Sequence, residues 1–183
     1  MKKHFAVPFA ATLFLFLALN SAFPLVAEGR YAKRVTTMSK VMRLNDTTLR
    51  VEVPRGFRAG SIDKRKQVEF QYWTLDDENF IQIAVWDLEP GMTPAKALKS
   101  MAAIGTSKFG KDFKGGPDES AIINGSDWAG FHFEGTRLGR KIKSKGFSFF
   151  GVHKNRIIQV NASAVRPGVL ASLEGTLKSL KVI

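Results

Sequence analysis

Residues 120–165 read SAIINGSDWAGFHFEGTRLGRKIKSKGFSFFGVHKNRIIQVNASAV, and this stretch decides the fold. Asn124-Gly125 is the best short hairpin signal in the chain, a pair that suits a two-residue turn between strands. Ser120 to Ile123 leads into it, and Asp127 to Glu134 follows with a period of two. Trp128, Gly130, His132 and Glu134 share one face; Ala129, Phe131 and Phe133 share the other. Lys145–His153 and Arg156–Val165 form a further hairpin across Lys154-Asn155. Between the two hairpins, Thr136 to Ser144 reads as a basic connection. Four strands joined by short turns specify an antiparallel sheet.

Working back from this segment, Thr106 to Glu119 reads as a Gly- and Lys-rich loop in which Phe109 and Phe113 are candidates to pack on the domain. Thr93-Pro94 starts a helix, with Thr at the N-cap and Pro in the first turn, running to about Ile104 with Leu98 on its core side. Phe80–Leu88 is apolar on both faces, as expected of a central strand covered on both sides. Gln67–Leu75 alternates, and Asp76 to Asn79 is an acidic turn. Gly60–Lys66 reads as a polar, basic loop. Thr48–Val53 alternates and ends at Pro54-Arg55-Gly56-Phe57. Val41–Leu44 is a short strand before the Asn45-Asp46 turn. Downstream, Arg166-Pro167-Gly168 opens a last helix whose Leu170, Leu173, Leu177 and Leu180 form an apolar stripe.

The fold class that follows is α+β: an antiparallel sheet built from hairpins and packed between helices. The expected core includes Leu49, Val51, Phe70, Ile81, Ile83, Val85, Leu98, Phe131, Phe133, Ile158, Val160, Leu173 and Leu177. The order and spacing of several features over residues 40–183 resemble the PsbP-like superfamily. These are the Val53-Pro54-Arg55-Gly56-Phe57 strand end, the pair carrying Phe70-Gln71-Tyr72 and Ile81-Gln82-Ile83, and the Thr93-Pro94 helix. Asn124-Gly125 leading into Trp128-Ala129-Gly130-Phe131 and Phe133-Glu134-Gly135 continues the pattern, and the helix with Leu173, Leu177, Lys178, Ser179 and Leu180 closes it. The superfamily includes the extrinsic PsbP subunit of photosystem II and small exported bacterial proteins such as DcrB. The resemblance implies an antiparallel sheet between helices and, for most exported members, no established activity. It carries over no metal-binding or partner-binding motif.

The chain has 183 residues, 28 Lys+Arg against 16 Asp+Glu, and no Cys. The length suits one domain. The lack of Cys excludes disulfide scaffolds, Cys-ligated metals and thiol nucleophiles. Residues 1–27 have a basic start at Lys2 and Lys3, an uncharged apolar stretch from Phe5 to Leu19, and a small residue, Ala27, at the cleavage position. That is the pattern of a secretory signal peptide. The expected organisation is therefore a signal peptide at 1–27, a basic N-terminal arm at 28–40 and a single domain at 41–183. No other stretch is long and apolar enough to span a membrane as a helix. Without Lys2 and Lys3 the formal charge falls from +12 to +10. The expected location is periplasmic or extracellular, with a bacterial envelope favoured.

The chemistry-bearing residues are sparse. His132 lies near Ser126, Asp127 and Glu134 in sequence, but residues alternating along one strand do not converge as a triad requires. There is no Gly-x-Ser-x-Gly elbow. The Asp76-Asp77-Glu78 turn lacks the spaced ligands of a calcium loop. No catalytic residue, metal site or cofactor is expected, and the chain reads as a non-enzymatic protein. Lys145-Gly146-Phe147-Ser148-Phe149-Phe150-Gly151-Val152 resembles the strand motif of the RRM, but the order of elements and the export signal argue against a nucleic-acid partner. The cations are the informative surface feature. Arg137, Arg140, Lys141, Lys143 and Lys145 crowd one connection, and Lys64, Arg65 and Lys66 form a second group. They suggest an exported binding or accessory module facing an anionic envelope component or an acidic protein. The alternatives are an enzyme with a site near His132, and small-molecule or protein binding through an apolar pocket between sheet and helix.

Overall fold

The computed structural model describes residues 36–65, 67–93, 95–96, 112–116, 118–136 and 142–183. The expected signal peptide and most of the N-terminal arm lie outside them. So does the body of the helix expected after Thr93, including Leu98. Its start is described: Ala95 and Lys96 are helical, and the Lys96 backbone N–H donates to Thr93 Oγ1 at 3.3 Å.

Two antiparallel sheets share one core. The smaller contains β1 (Thr37–Leu44), β2 (Thr47–Pro54) and β11 (Lys181–Val182), in the order β1-β2-β11. The larger is built from β3 (Arg58–Arg65), β4 (Val68–Thr74), β5 (Phe80–Asp87), β6 (Lys114–Gly115), β7 (Glu119–Ile123), β8 (Ser126–Thr136), β9 (Lys143–His153) and β10 (Arg156–Ala164). Its order is β3-β4-β5-β10-β9-β8-β6, with β7 also paired to β8. Helix α1 (Pro167–Ser179) is the one long helix among the described residues. This is the expected α+β class, with one helix described on one face of the large sheet.

Two of the hairpin turns form where residue types accept positive φ, and the third places Lys154 there. Asn45 and Asp46 have φ of 45° and 60°, Asn124 and Gly125 have 49° and 77°, and Lys154 has 53°. Their registers, Leu44↔Thr47, Ile123↔Ser126 and His153↔Arg156, each leave two residues in the loop. That geometry matches the twist of the flanking strands.

Strand alternation divides the large sheet into two buried faces. On the first, Trp73, Ile81, Ile83, Val85, Trp128, Phe147, Phe149, Ile158 and Val160 meet Val169, Leu173 and Leu177 of α1, and Leu49, Val51 and Val53 of β2. On the second, Val68, Phe70, Ala84, Trp86, Phe131, Phe133, Phe150 and Ile157 cluster, with Phe113 packed against them. Phe80 through Trp86 are all buried, as a central strand covered on both faces must be. All the expected core residues within the described segments are buried. Gly151 lies opposite Trp128, and a Cβ there would overlap the indole. Gly130 admits the Phe149 ring in the same way.

Several boundaries differ from the sequence reading. Gly60–Lys66, read as a loop, falls largely within β3. This edge strand is exposed along almost its whole length, so it has no apolar alternation to read. Its charges and a register shift between Ala59 and Ile62 are features that protect a sheet edge. β1 begins at Thr37, inside the expected arm. The stretch read as the Thr106–Glu119 loop contains β6 and the first residue of β7. Thr136 and Lys143-Ser144, read as connection, belong to β8 and β9. Leu180 caps α1 instead of continuing it, and the chain then pairs with β2 through Lys181↔Arg50 and Val182↔Leu49.

Candidate basic interface

The β8–β9 ladder closes at Thr136↔Lys143. The connection is therefore 137–142, RLGRKI, with no acidic residue. Arg137, Arg140 and Lys141 lie in it, outside the described residues. Lys143 and Lys145 stand at its base on β9, half or more exposed. Both turn to one carboxylate: Glu134 Oε1 is 2.9 Å from Lys143 Nζ, and Glu134 Oε2 is 3.7 Å from Lys145 Nζ. Lys114 joins them from β6, where it pairs in register with Glu134. The sequence reading left Lys114 out of the site, since 28 residues of chain lie between it and Lys143.

The charges perturb one another in the expected directions. The Lys143 hydrogen bond and charge hold the Glu134 carboxyl below the ordinary glutamate value, with Lys145 and Lys114 adding to the effect. Glu134 in turn raises the Lys143 ammonium. Asp112 is the second acid at this end. It accepts hydrogen bonds from the Thr136 hydroxyl at 2.7 Å and the Thr136 backbone N–H at 3.0 Å, which lower its carboxyl. These bonds fasten the segment before β6 to the last residue of β8.

The second basic group is elsewhere. Lys64 pairs with Glu69 at 2.7 Å across the β3–β4 hairpin. The Arg65 guanidinium carbon lies 5.8 Å from the centre of the Phe70 ring, a cation–π distance. Lys66 is outside the described residues. The ladders run Arg65↔Val68, Val68↔Trp86, Trp86↔Ile157 at this end of the sheet. Lys145↔Ala164, Ser163↔Phe80 and Phe80↔Thr74 run at the other. Lys64 and Arg65 therefore sit at the opposite end from Lys143 and Lys145, on the edge strand β3, with β4, β5 and β10 between it and β9. Among the described residues, Lys64 and Arg65 do not share a surface with Lys143 and Lys145.

Among the described residues, His132 is partnered by two glutamates. His132 Nδ1 is 2.7 Å from Glu119 Oε1 and His132 Nε2 is 3.4 Å from Glu174 Oε1. Ser126 and Asp127, at the start of β8, are not among its partners. His153 is remote, lining a cavity of about 170 Å³ with Asn45, Thr47, Lys154 and Arg156. No group of three potential metal ligands converges among the described residues. A larger groove of about 540 Å³ is lined by Thr93, Ala95, Ala121, Ile122, Trp128 and Ala129.

No family model and no curated protein matches the chain. Among solved structures, it is similar to cyanobacterial PsbP from Synechocystis sp. PCC 6803, with a TM-score of 0.58 and 8% identity over 85% of this chain and 98% of that one. LpqN, involved in cell envelope biogenesis of Mycobacterium tuberculosis, aligns with a TM-score of 0.49 and 13% identity over 80% of this chain and 91% of that one. The fold is PsbP-like. Among the described residues, no helix is long and apolar enough to cross a membrane.

Proposed function

We propose that this chain is an exported, non-enzymatic binding or accessory module whose β8–β9 end faces an anionic envelope component or an acidic protein. One observation carries the reading: three lysines from two strands, Lys114, Lys143 and Lys145, gather around Glu134 at the base of an acid-free connection that holds three further cations. Like charges so placed repel one another, and an anionic partner relieves several repulsions together. Attraction of this kind weakens steeply with salt, because screening acts over about 8 Å at physiological ionic strength. The second basic group, at Lys64 to Lys66, is a separate feature with its own counter-ion in Glu69.

Export follows from residues 1–27 in this reading. Intact-mass analysis of protein from the producing cell should find a chain starting near Glu28; a mass that retains Met1 to Ala27 refutes removal. The interface is tested by pull-down from envelope extract with the wild type beside a variant carrying Arg140→Glu, Lys141→Glu and Lys143→Glu. The wild type should retain partners that salt releases and the variant loses. Equal, salt-resistant recovery by both rejects the basic interface.

The groove beside Trp128 supports a second reading, binding of an apolar group. Ile122, at its rim, is 78% exposed, the most exposed large apolar side chain among the described residues.

A further inference from the structure

The small sheet buries one face and exposes the other. Met42, Leu44, Leu49, Val51 and Val53 point into the core, so the residues that alternate with them along β1 and β2 point away from it. Register sets Val41 opposite Arg50 and Arg50 opposite Lys181, so these three share the outer face. The ladder continues past β11, where the Ile183 backbone N–H donates to the Thr48 carbonyl at 3.0 Å. Ile183, two residues beyond Lys181, therefore joins the same face, and Arg43 joins it opposite Thr48.

Two features of this face call for a partner. Val41 is 60% exposed and Ile183 57%, two of the five exposed large apolar side chains among the described residues. Beside them, Arg50 and Lys181 lie directly opposite each other on neighbouring strands, an arrangement of like charges that costs stability. Both are exposed, and neither forms an ion pair among the described residues. The acids nearby are engaged: Asp46 pairs with Arg43 at 2.9 Å, and the Glu52 carboxylate accepts from the Thr37 hydroxyl at 3.1 Å. In sequence, the segment that leads into β1 adds Arg30, Lys33 and Arg34.

We infer that the outer face of the small sheet docks on an anionic phospholipid surface, with Arg50 and Lys181 at the headgroup phosphates and Val41 and Ile183 reaching the acyl boundary. Cations set among apolar tips on one face match the two layers of a membrane interface, and each cation near an anionic leaflet adds attraction. An acidic segment would answer the cations but leave the apolar tips in water. A second copy would set these cations against their own kind. The surface is separate from the β8–β9 end, whose Lys143 and Lys145 stand on the large sheet. It escaped the sequence reading because its members come from three strands, one of them only two residues long.

The test is binding of the chain recovered from the producing cell to vesicles of phosphatidylcholine, with and without phosphatidylglycerol. The sequence has no Cys, so Val41→Cys takes a single environment-sensitive fluorophore. Binding should need the anionic lipid. The fluorophore should shift to the blue on those vesicles and not with poly-glutamate, which offers charge without an apolar phase. Arg50→Glu with Lys181→Glu should weaken binding at least about tenfold and keep the melting temperature. Arg50→Gln with Lys181→Gln serves if the reversal unfolds the chain. Lys143→Glu with Lys145→Glu should leave the blue shift in place. The inference fails if anionic vesicles do not bind, if the Arg50 and Lys181 variants bind as the parent does, or if poly-glutamate gives the same shift. Vesicle binding lost only through Lys143 and Lys145, with an unmoved fluorophore, would overturn it and assign the lipid to the β8–β9 end. A blue shift that grows with protein concentration in the absence of lipid would overturn it in favour of a second copy.

Discussion

Glu69 shows what single residues contribute. Its carboxylate accepts from the Asn45 backbone N–H at 2.7 Å and pairs with Lys64, so the turn of the small sheet is bonded to the large one. Asn45 Nδ2 extends the link to Asp87, which also pairs with Arg156. The Asn45 hydrogen bond first, then Lys64, holds the Glu69 carboxyl below the ordinary glutamate value. A lowered carboxyl adds stability that is complete above that ordinary value, about 4.3, and is lost as pH falls through the lowered one. Glu69→Gln should therefore cost about 1 kcal/mol at neutral pH, and the gap in denaturant midpoints between wild type and variant should close at acid pH. A gap that stays constant from neutral pH down through pH 4 rules out the carboxylate as its source. The turn itself was legible in Asn45-Asp46, since both residue types tolerate positive φ. Its tie to Glu69, 24 residues away, was not, because a hydrogen bond between distant segments leaves no local pattern.

At the scale of elements, α1 was legible because Leu173 and Leu177 repeat at helical spacing and both are buried against the first face. Leu177→Asp would put an unpaired carboxylate into the core that this helix shares with β2 and β10 and should cost more than about 4 kcal/mol. On the same helix, Gly175 is exposed, and a Cβ there meets nothing within 4 Å. Gly175→Ala should stabilise by about 0.5–1 kcal/mol. Thermal unfolding of the two variants checks the face assignment, which is wrong if Leu177→Asp melts with the wild type. β3 was missed for the opposite reason. An edge strand exposed on both faces carries no apolar period, and its Arg, Lys and Asp residues read as loop although its backbone pairs with β4. The two-residue β6 and β11 are too short for any period to show.

For the whole molecule, residue types were enough to identify the α+β class and the basic connection, but not how the charged groups are arranged in space. Pairing order alone separates Lys64 and Arg65 from Lys143 and Lys145, and pairing order alone adds Lys114 to the latter. The central claim is that the β8–β9 end is the contacting surface. Photo-crosslinking in the producing cell tests it most directly, with the reactive residue placed in turn at Ile142, Ile62 and Ile122. All three are exposed apolar positions, 51%, 47% and 78% accessible, at the basic end, on the β3 edge and at the groove rim respectively. Salt-sensitive adducts from position 142, with few from 62 or 122, are the predicted result. Adducts that come chiefly from position 122 and persist at high salt would contradict the basic interface and favour the groove.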